Sequence, residues 1–104
     1  MKKAIIFVHD KRAGILSENI TGGYEFIYDD NYKGEPVSLT MPFNTKTYLY
    51  AKFPSFFEGL LPEGIMLEGL LKIGKIDKND FFAQLIATAN DLVGAVTVKE
   101  WKDE

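Results

Sequence analysis

An α+β fold is predicted: an antiparallel sheet of hairpin-connected strands, about three short helices in the C-terminal half, and a last strand that returns to the sheet. Three observations predict it. In the first half, β-branched and aromatic residues are broken up by turn-forming pairs such as Gly22-Gly23. After Pro54 the apolar spacing lengthens to three and four residues, the period of a helix. Leu92 to Val98 then reverts to strand composition. Strands, then helices, then a returning strand imply helices on one side of the sheet.

Each element follows from its residues. Lys3 to Val8 is a strand rich in Ile, Phe and Val, Asp10 to Arg12 is a polar turn, and Ala13 to Leu16 is the hairpin partner. In Tyr24-Glu25-Phe26-Ile27-Tyr28 the three aromatics alternate onto one side. Asp29-Asp30-Asn31 and Lys33 to Pro36 form a loop, and Val37 to Met41 is a short strand ended by Pro42. Lys46 to Ala51 is another strand, with Tyr48 and Tyr50 on one face and Thr47 and Leu49 on the other. A short helix over Phe56 to Leu61 has Pro54 in its first turn and puts Phe56, Phe57, Leu60 and Leu61 on one face. Pro62 and Gly64 break it into a rigid acidic corner. Ile65 to Ile73 carries Met66, Leu67, Leu70 and Leu71 at helical spacing, and Gly74 stops it. Asp77 or Asn79 caps a third helix whose buried stripe is Phe81, Phe82, Leu85, Ile86 and Ala89.

The 104 residues form one domain, 1–104, with 46% hydrophobic and 26% charged residues, as in soluble globular chains. With no cysteine, disulfides, thiolate catalysis and cysteine-based zinc sites are excluded, and a reducing, cytoplasmic location fits. The net charge of −3 gives no pull toward phosphate backbones, so direct nucleic-acid binding is not expected. No apolar run approaches the roughly 18 residues of a membrane span. Ala4 to Val8 follows two lysines but is too short for a signal peptide.

Catalytic patterns are weak. Gly69 to Lys75 matches the glycine and lysine spacing of a phosphate-binding loop, but Ile76 stands where Ser or Thr must hold magnesium, and the inner residues favour a helix. His9 is the single histidine, and no serine sits in a Gly-x-Ser-x-Gly elbow. Asp29-Asp30-Asn31 lacks the spacing and glycine of a calcium loop. Glu58 and Glu63 are a carboxylate pair with nothing to place a sugar between them. Tyr24, Tyr28, Tyr48 and Tyr50 suit a half-buried sheet face better than a base-stacking platform. No catalytic, cofactor-binding or metal residue is assigned, and a small hydrolase using His9 or Glu63 is the enzymatic rival.

Several segments in order carry a more specific signal: Ala13-Gly14-Ile15-Leu16, Tyr24 to Tyr28, Val37 to Pro42, Phe56-Phe57-Glu58-Gly59-Leu60-Leu61-Pro62-Glu63-Gly64, Asp80-Phe81-Phe82 and Asp91-Leu92-Val93-Gly94-Ala95-Val96. In these the chain resembles the N-terminal subdomain of HipA-type toxin kinases, and most of all the stand-alone HipS form found in split HipB–HipS–HipT systems. It departs from the family where Ile65-Met66-Leu67-Glu68 replaces a frequent arginine and where Ala89-Asn90 replaces a frequent glycine. The resemblance implies a non-enzymatic antitoxin that binds and restrains a HipT-like serine/threonine kinase. A HipB-like DNA-binding protein would be reached through that complex. The alternative is an excised N-terminal scaffold of an intact HipA-type kinase. The expected contact surface is the corner Pro62, Glu63, Gly64, Ile65 and Met66, with burial of Ile65 and Met66 in the domain's own core as the competing reading. Trp101 is a further contact candidate.

Overall fold

A computed structural model describes residues 2–92 and 94–101. Met1, residues 102–104 and the Val93 of the closing motif lie outside the described residues. Among the described residues five strands form one antiparallel sheet in the order β4-β3-β2-β1-β5. They are β1 (Lys2–Val8), β2 (Lys11–Glu18), β3 (Tyr24–Tyr28), β4 (Thr47–Tyr50) and β5 (Val96–Glu100). Three helices lie between the last two: α1 (Ser55–Glu58), α2 (Gly64–Gly74) and α3 (Phe81–Thr88), the last running into a 3-10 turn over Ala89–Asp91. The α+β reading is thereby borne out, with the helices in the C-terminal half and the final strand returning beside β1.

The first hairpin is tighter than Asp10–Arg12 suggested. Val8 pairs with Lys11, and the two residues between, His9 and Asp10, both have positive φ (49° and 65°). Such a two-residue turn matches the right-handed twist of its strands, and Asp tolerates the left-handed region. The longer register this allows runs from Val8↔Lys11 to Lys2↔Glu18, interrupted by one irregularity between Ile6 and Phe7.

The core lies between the sheet and the helices. Ala4, Ile6 and Val8 of β1, Leu16 of β2 and Phe26 of β3 are buried against Phe57, Phe82 and Leu85. Aromatic rings knit the layers together: Phe26 lies 6.1 Å from Phe57, and Tyr24 stacks on Phe82 at 6.5 Å and meets Phe53 edge-on at 5.2 Å. Tyr24 and Tyr28 therefore belong to the covered face, engaged by the domain's own aromatics.

Val37 to Met41 is not a strand. Val37 and Met41 are buried, but the chain between them curls, with Met41 N donating to Ser38 O at 3.0 Å. The buried hydroxyl of Tyr28 accepts from Val37 N at 2.9 Å and donates to the Met41 carbonyl. One side chain satisfies two backbone groups that a neighbouring strand would otherwise have to pair. Burial holds the Tyr28 pKa above its ordinary value of 10.0, although the Val37 bond pulls the other way. Burial also raises Tyr24, Tyr32 and Tyr50. A raised folded pKa favours the protonated folded state. Its contribution is fully present below the unfolded value and is lost as pH rises through the folded one. Chemical denaturation is expected to give falling stability above pH 10. Phenolate absorbance should appear later than in free tyrosine; a midpoint at or below the free value would contradict this.

Other boundaries shift for local reasons. α1 is a single turn with Pro54 at its N-cap (φ −60°, ψ 131°), ahead of the helix rather than in its first turn. Leu60 N and Leu61 N then bond to Phe57 and Glu58, three residues back, a tightened exit that replaces the expected longer helix. Of the anticipated face only Phe57 is fully buried, with Phe56, Leu60 and Leu61 half-buried. The α3 cap is Asp80, which accepts from Ala83 N at 3.1 Å, while Asp77 accepts from Asn79 N in the turn before it. In the α3 stripe Phe82 and Leu85 are buried and Phe81, Ile86 and Ala89 are partly so. The last strand starts at Val96, where pairing with Val8 begins, and not at Leu92.

Candidate partner-binding surface

Helix α2 has a composition that its surroundings do not explain. None of its residues is buried. Leu67, Leu70 and Leu71 are half-buried on its inner side, while Ile65 is 85%, Met66 76% and Ile73 87% exposed. The competing expectation that Ile65 and Met66 fill the domain's own core is thereby excluded. A helix apolar on both faces is ordinarily enclosed on both. Here one face meets the domain and the other meets solvent.

The first residues of α2 present this face. Glu63 is the N-cap, extended at φ −128° and ψ 165°, with no side-chain cap bond. Gly64 follows at φ +61°. This left-handed step re-aims the chain and places Ile65 and Met66 outward immediately after Pro62. No atom stands within 4 Å of a Cβ built on Gly64, so a side chain there would suffer backbone strain alone. Gly64→Ala is expected to cost about 1–2 kcal/mol, read as a lower denaturation midpoint with an unchanged m-value. A stability equal to the parent would show that the corner relaxes without glycine.

At its other end α2 stops differently from the expectation of a glycine cap. The left-handed residue is Lys75 (φ 52°, ψ 43°), whose N–H reaches Leu71 O. A Cβ on Gly74 would lie 2.9 Å from Cδ1 of Ile76, the movable end of a flexible side chain, so space there does not by itself demand glycine. The Gly69–Ile76 stretch is thus helix and helix stop, with none of the extended backbone of a phosphate cradle.

Pro62 and Met66 line one side of a cleft closed by Leu60, Thr88 and Leu92, and Pro62 and Glu63 line a second toward Phe81. The five corner residues are therefore contiguous and, apart from half-buried Pro62, exposed. Trp101 sits elsewhere. Its backbone N–H bonds to Lys3 O beyond the end of β5, and Lys3 Nζ and Arg12 Cζ lie 5.8 and 5.4 Å from its ring centroid. The register puts it on the sheet face away from the helices, with Ile5, Ile15 and Ile27.

Three other polar candidates have structural partners. His9 contacts Glu35 at 3.3 Å in the open, Asp29 pairs with Arg12 at 2.8 Å, and Asp30 pairs with Lys46. Among the described residues no cluster of three or more potential metal ligands occurs, and no helix is long and apolar enough to cross a membrane. Sequence patterning missed Gln84 and Thr88, both buried polar residues of α3. Thr88 donates to Gln84 O or Leu85 O, both at 3.1 Å, and the Gln84 amide donates to Asp77 O and Lys78 O. No periodicity marks them, because Gln84 is satisfied by the loop carbonyls of Asp77 and Lys78 and Thr88 by carbonyls of its own helix.

A family model described as HipA N-terminal domain matches residues 4–99. A protein of Haemophilus influenzae, described as uncharacterized, is 29% identical over 97 residues, covering 93% of this chain and 91% of that one. A solved structure described as the N-terminal domain of HipA toxin matches with a TM-score of 0.78, covering 100% of this chain and 96% of that one. At 23% identity that likeness speaks for the fold alone.

Proposed function

The chain belongs to the HipA N-terminal domain family, and from that membership we propose that it is a non-catalytic antitoxin that binds and restrains a HipT-like serine/threonine kinase in the cytoplasm. The observation that carries this reading is the outward face of α2, where Ile65, Met66 and Ile73 stand exposed on an ordered helix. A detached kinase subdomain keeps the apolar surface it would use against the remainder of the enzyme. The Haemophilus influenzae relative supports a stand-alone role, since 91% of it is matched by this one domain. Inhibition follows if the chain prefers a non-productive arrangement of the kinase lobes, because a binder shifts an equilibrium only by its differential affinity. A HipB-like DNA-binding protein joins through the kinase.

Co-expression of the chain with a HipT-like kinase encoded beside it tests the reading. Relief of growth arrest and recovery of a complex by pull-down are expected. Persistent arrest with no complex would overturn it. If the same reading frame instead continues into a kinase, the α2 face is an intramolecular interface of a HipA-type enzyme, a reading in keeping with the fold shared with the HipA toxin's N-terminal domain.

A further inference from the structure

The cleft bounded by α1, the Pro62 corner and α3 holds about 340 Å³. Glu58 and Glu63 stand exposed around it, and neither is ion-paired among the described residues. Gln84, 1% exposed, also lines it. Nε2 of Gln84 donates to the carbonyls of Asp77 at 3.2 Å and Lys78 at 3.0 Å. Those two acceptors settle which end of the amide faces them, since Oε1 there would repel both. Oε1 therefore accepts nothing from the described residues. No fully sealed side-chain polar atom among those residues lacks a partner, so Oε1 keeps a sliver of accessible surface on a residue that lines the cleft. Leu61, Pro62 and Phe81 supply apolar lining.

We infer that this cleft receives an arginine side chain presented by a protein partner. The inference rests on the proposed function for the partner's identity: the arginine belongs to the kinase surface that also covers Ile65 and Met66. Charge complementarity selects the occupant. Two carboxylates and a buried amide oxygen are acceptors from separate elements, in a chain of net charge −3. A guanidinium offers five donors in a planar fork, and its aliphatic stem packs on apolar surface. Pro62 and Glu63 belong to both the cleft and the corner, so one partner surface spans both.

The test has two arms. In the first, the 15N-labelled chain is titrated with N-acetyl-arginine methylamide and with its citrulline and lysine counterparts. Shifts at the Gln84 side-chain amide and the Leu61 backbone amide are expected with arginine, with citrulline binding about tenfold weaker. No shift, equal binding of citrulline, or equal or tighter binding of lysine overturns the assignment. In the second, Glu58→Gln together with Glu63→Gln is expected to weaken the kinase complex about tenfold or more and to flatten its salt dependence. An unchanged complex overturns the inference while leaving the antitoxin reading intact. Arginine-selective shifts in a chain that captures no kinase would uphold the cleft and remove only the kinase as its source.

Discussion

Ile65→Asp combined with Met66→Asp is expected to abolish kinase capture and protection from growth arrest while the chain itself stays folded. Both side chains are mostly in solvent, 85% and 76% exposed, so their replacement removes little packing within the domain. Surface changes of this kind usually move stability by less than about 0.5 kcal/mol, a shift of roughly 2–4 °C in melting temperature for a domain of this size. At an interface the same two positions would leave carboxylates buried and unpaired, and central apolar anchors commonly contribute about 2 kcal/mol or more each. Loss of affinity by roughly a thousandfold is the expected outcome. Isothermal titration beside a thermal melt reads both quantities on one protein. Retained affinity with an unchanged melt would remove α2 from the interface and with it the main support for the antitoxin reading.

The largest effect on folding is expected at Phe57. Its side chain is fully buried, 6.1 Å from Phe26 across the sheet–helix boundary and 5.3 Å from Phe56. It belongs to a one-turn helix with no side-chain cap, so α1 depends on this anchor for its position. Phe57→Ala removes buried apolar contact and leaves a cavity, at a cost of about 3–5 kcal/mol. Domains of this size are stable by roughly 5–15 kcal/mol, so the variant would keep only part of its margin. Because α1 leads directly into Pro62 and α2, kinase binding should fall with the folded population. Denaturant unfolding that gave a loss under about 1 kcal/mol, well short of the usual cavity cost, would show that Phe57 is not the pin between helix and sheet.

Much of this architecture was legible in the residues because local chemistry and global fold agree. A run of Ile, Phe and Val marked β1, alternating aromatics marked β3, Gly22-Gly23 marked the turn between β2 and β3, and the change of period after Pro54 marked the helices. The corner was legible too, since proline and glycine restrict or free the backbone irrespective of their neighbours. Val37 to Met41 misled because buried apolar residues look alike in a strand and in a curled loop, and only the Tyr28 hydroxyl, distant in sequence, decides between them. The same holds for Gln84, whose burial depends on the carbonyls of Asp77 and Lys78.

By itself the sequence determined the class of fold, the order of its elements, the family to which it belongs and the presence of a greasy helix after an acidic corner. Those features come from short-range period, turn chemistry and motif, all carried by residues close together in the chain. Whether Ile65 and Met66 turn inward or outward was decided only in three dimensions. Apolar character states a preference for burial but not which surface supplies it. The domain half-buries the Leu67, Leu70 and Leu71 side of α2 and leaves its opposite face to solvent.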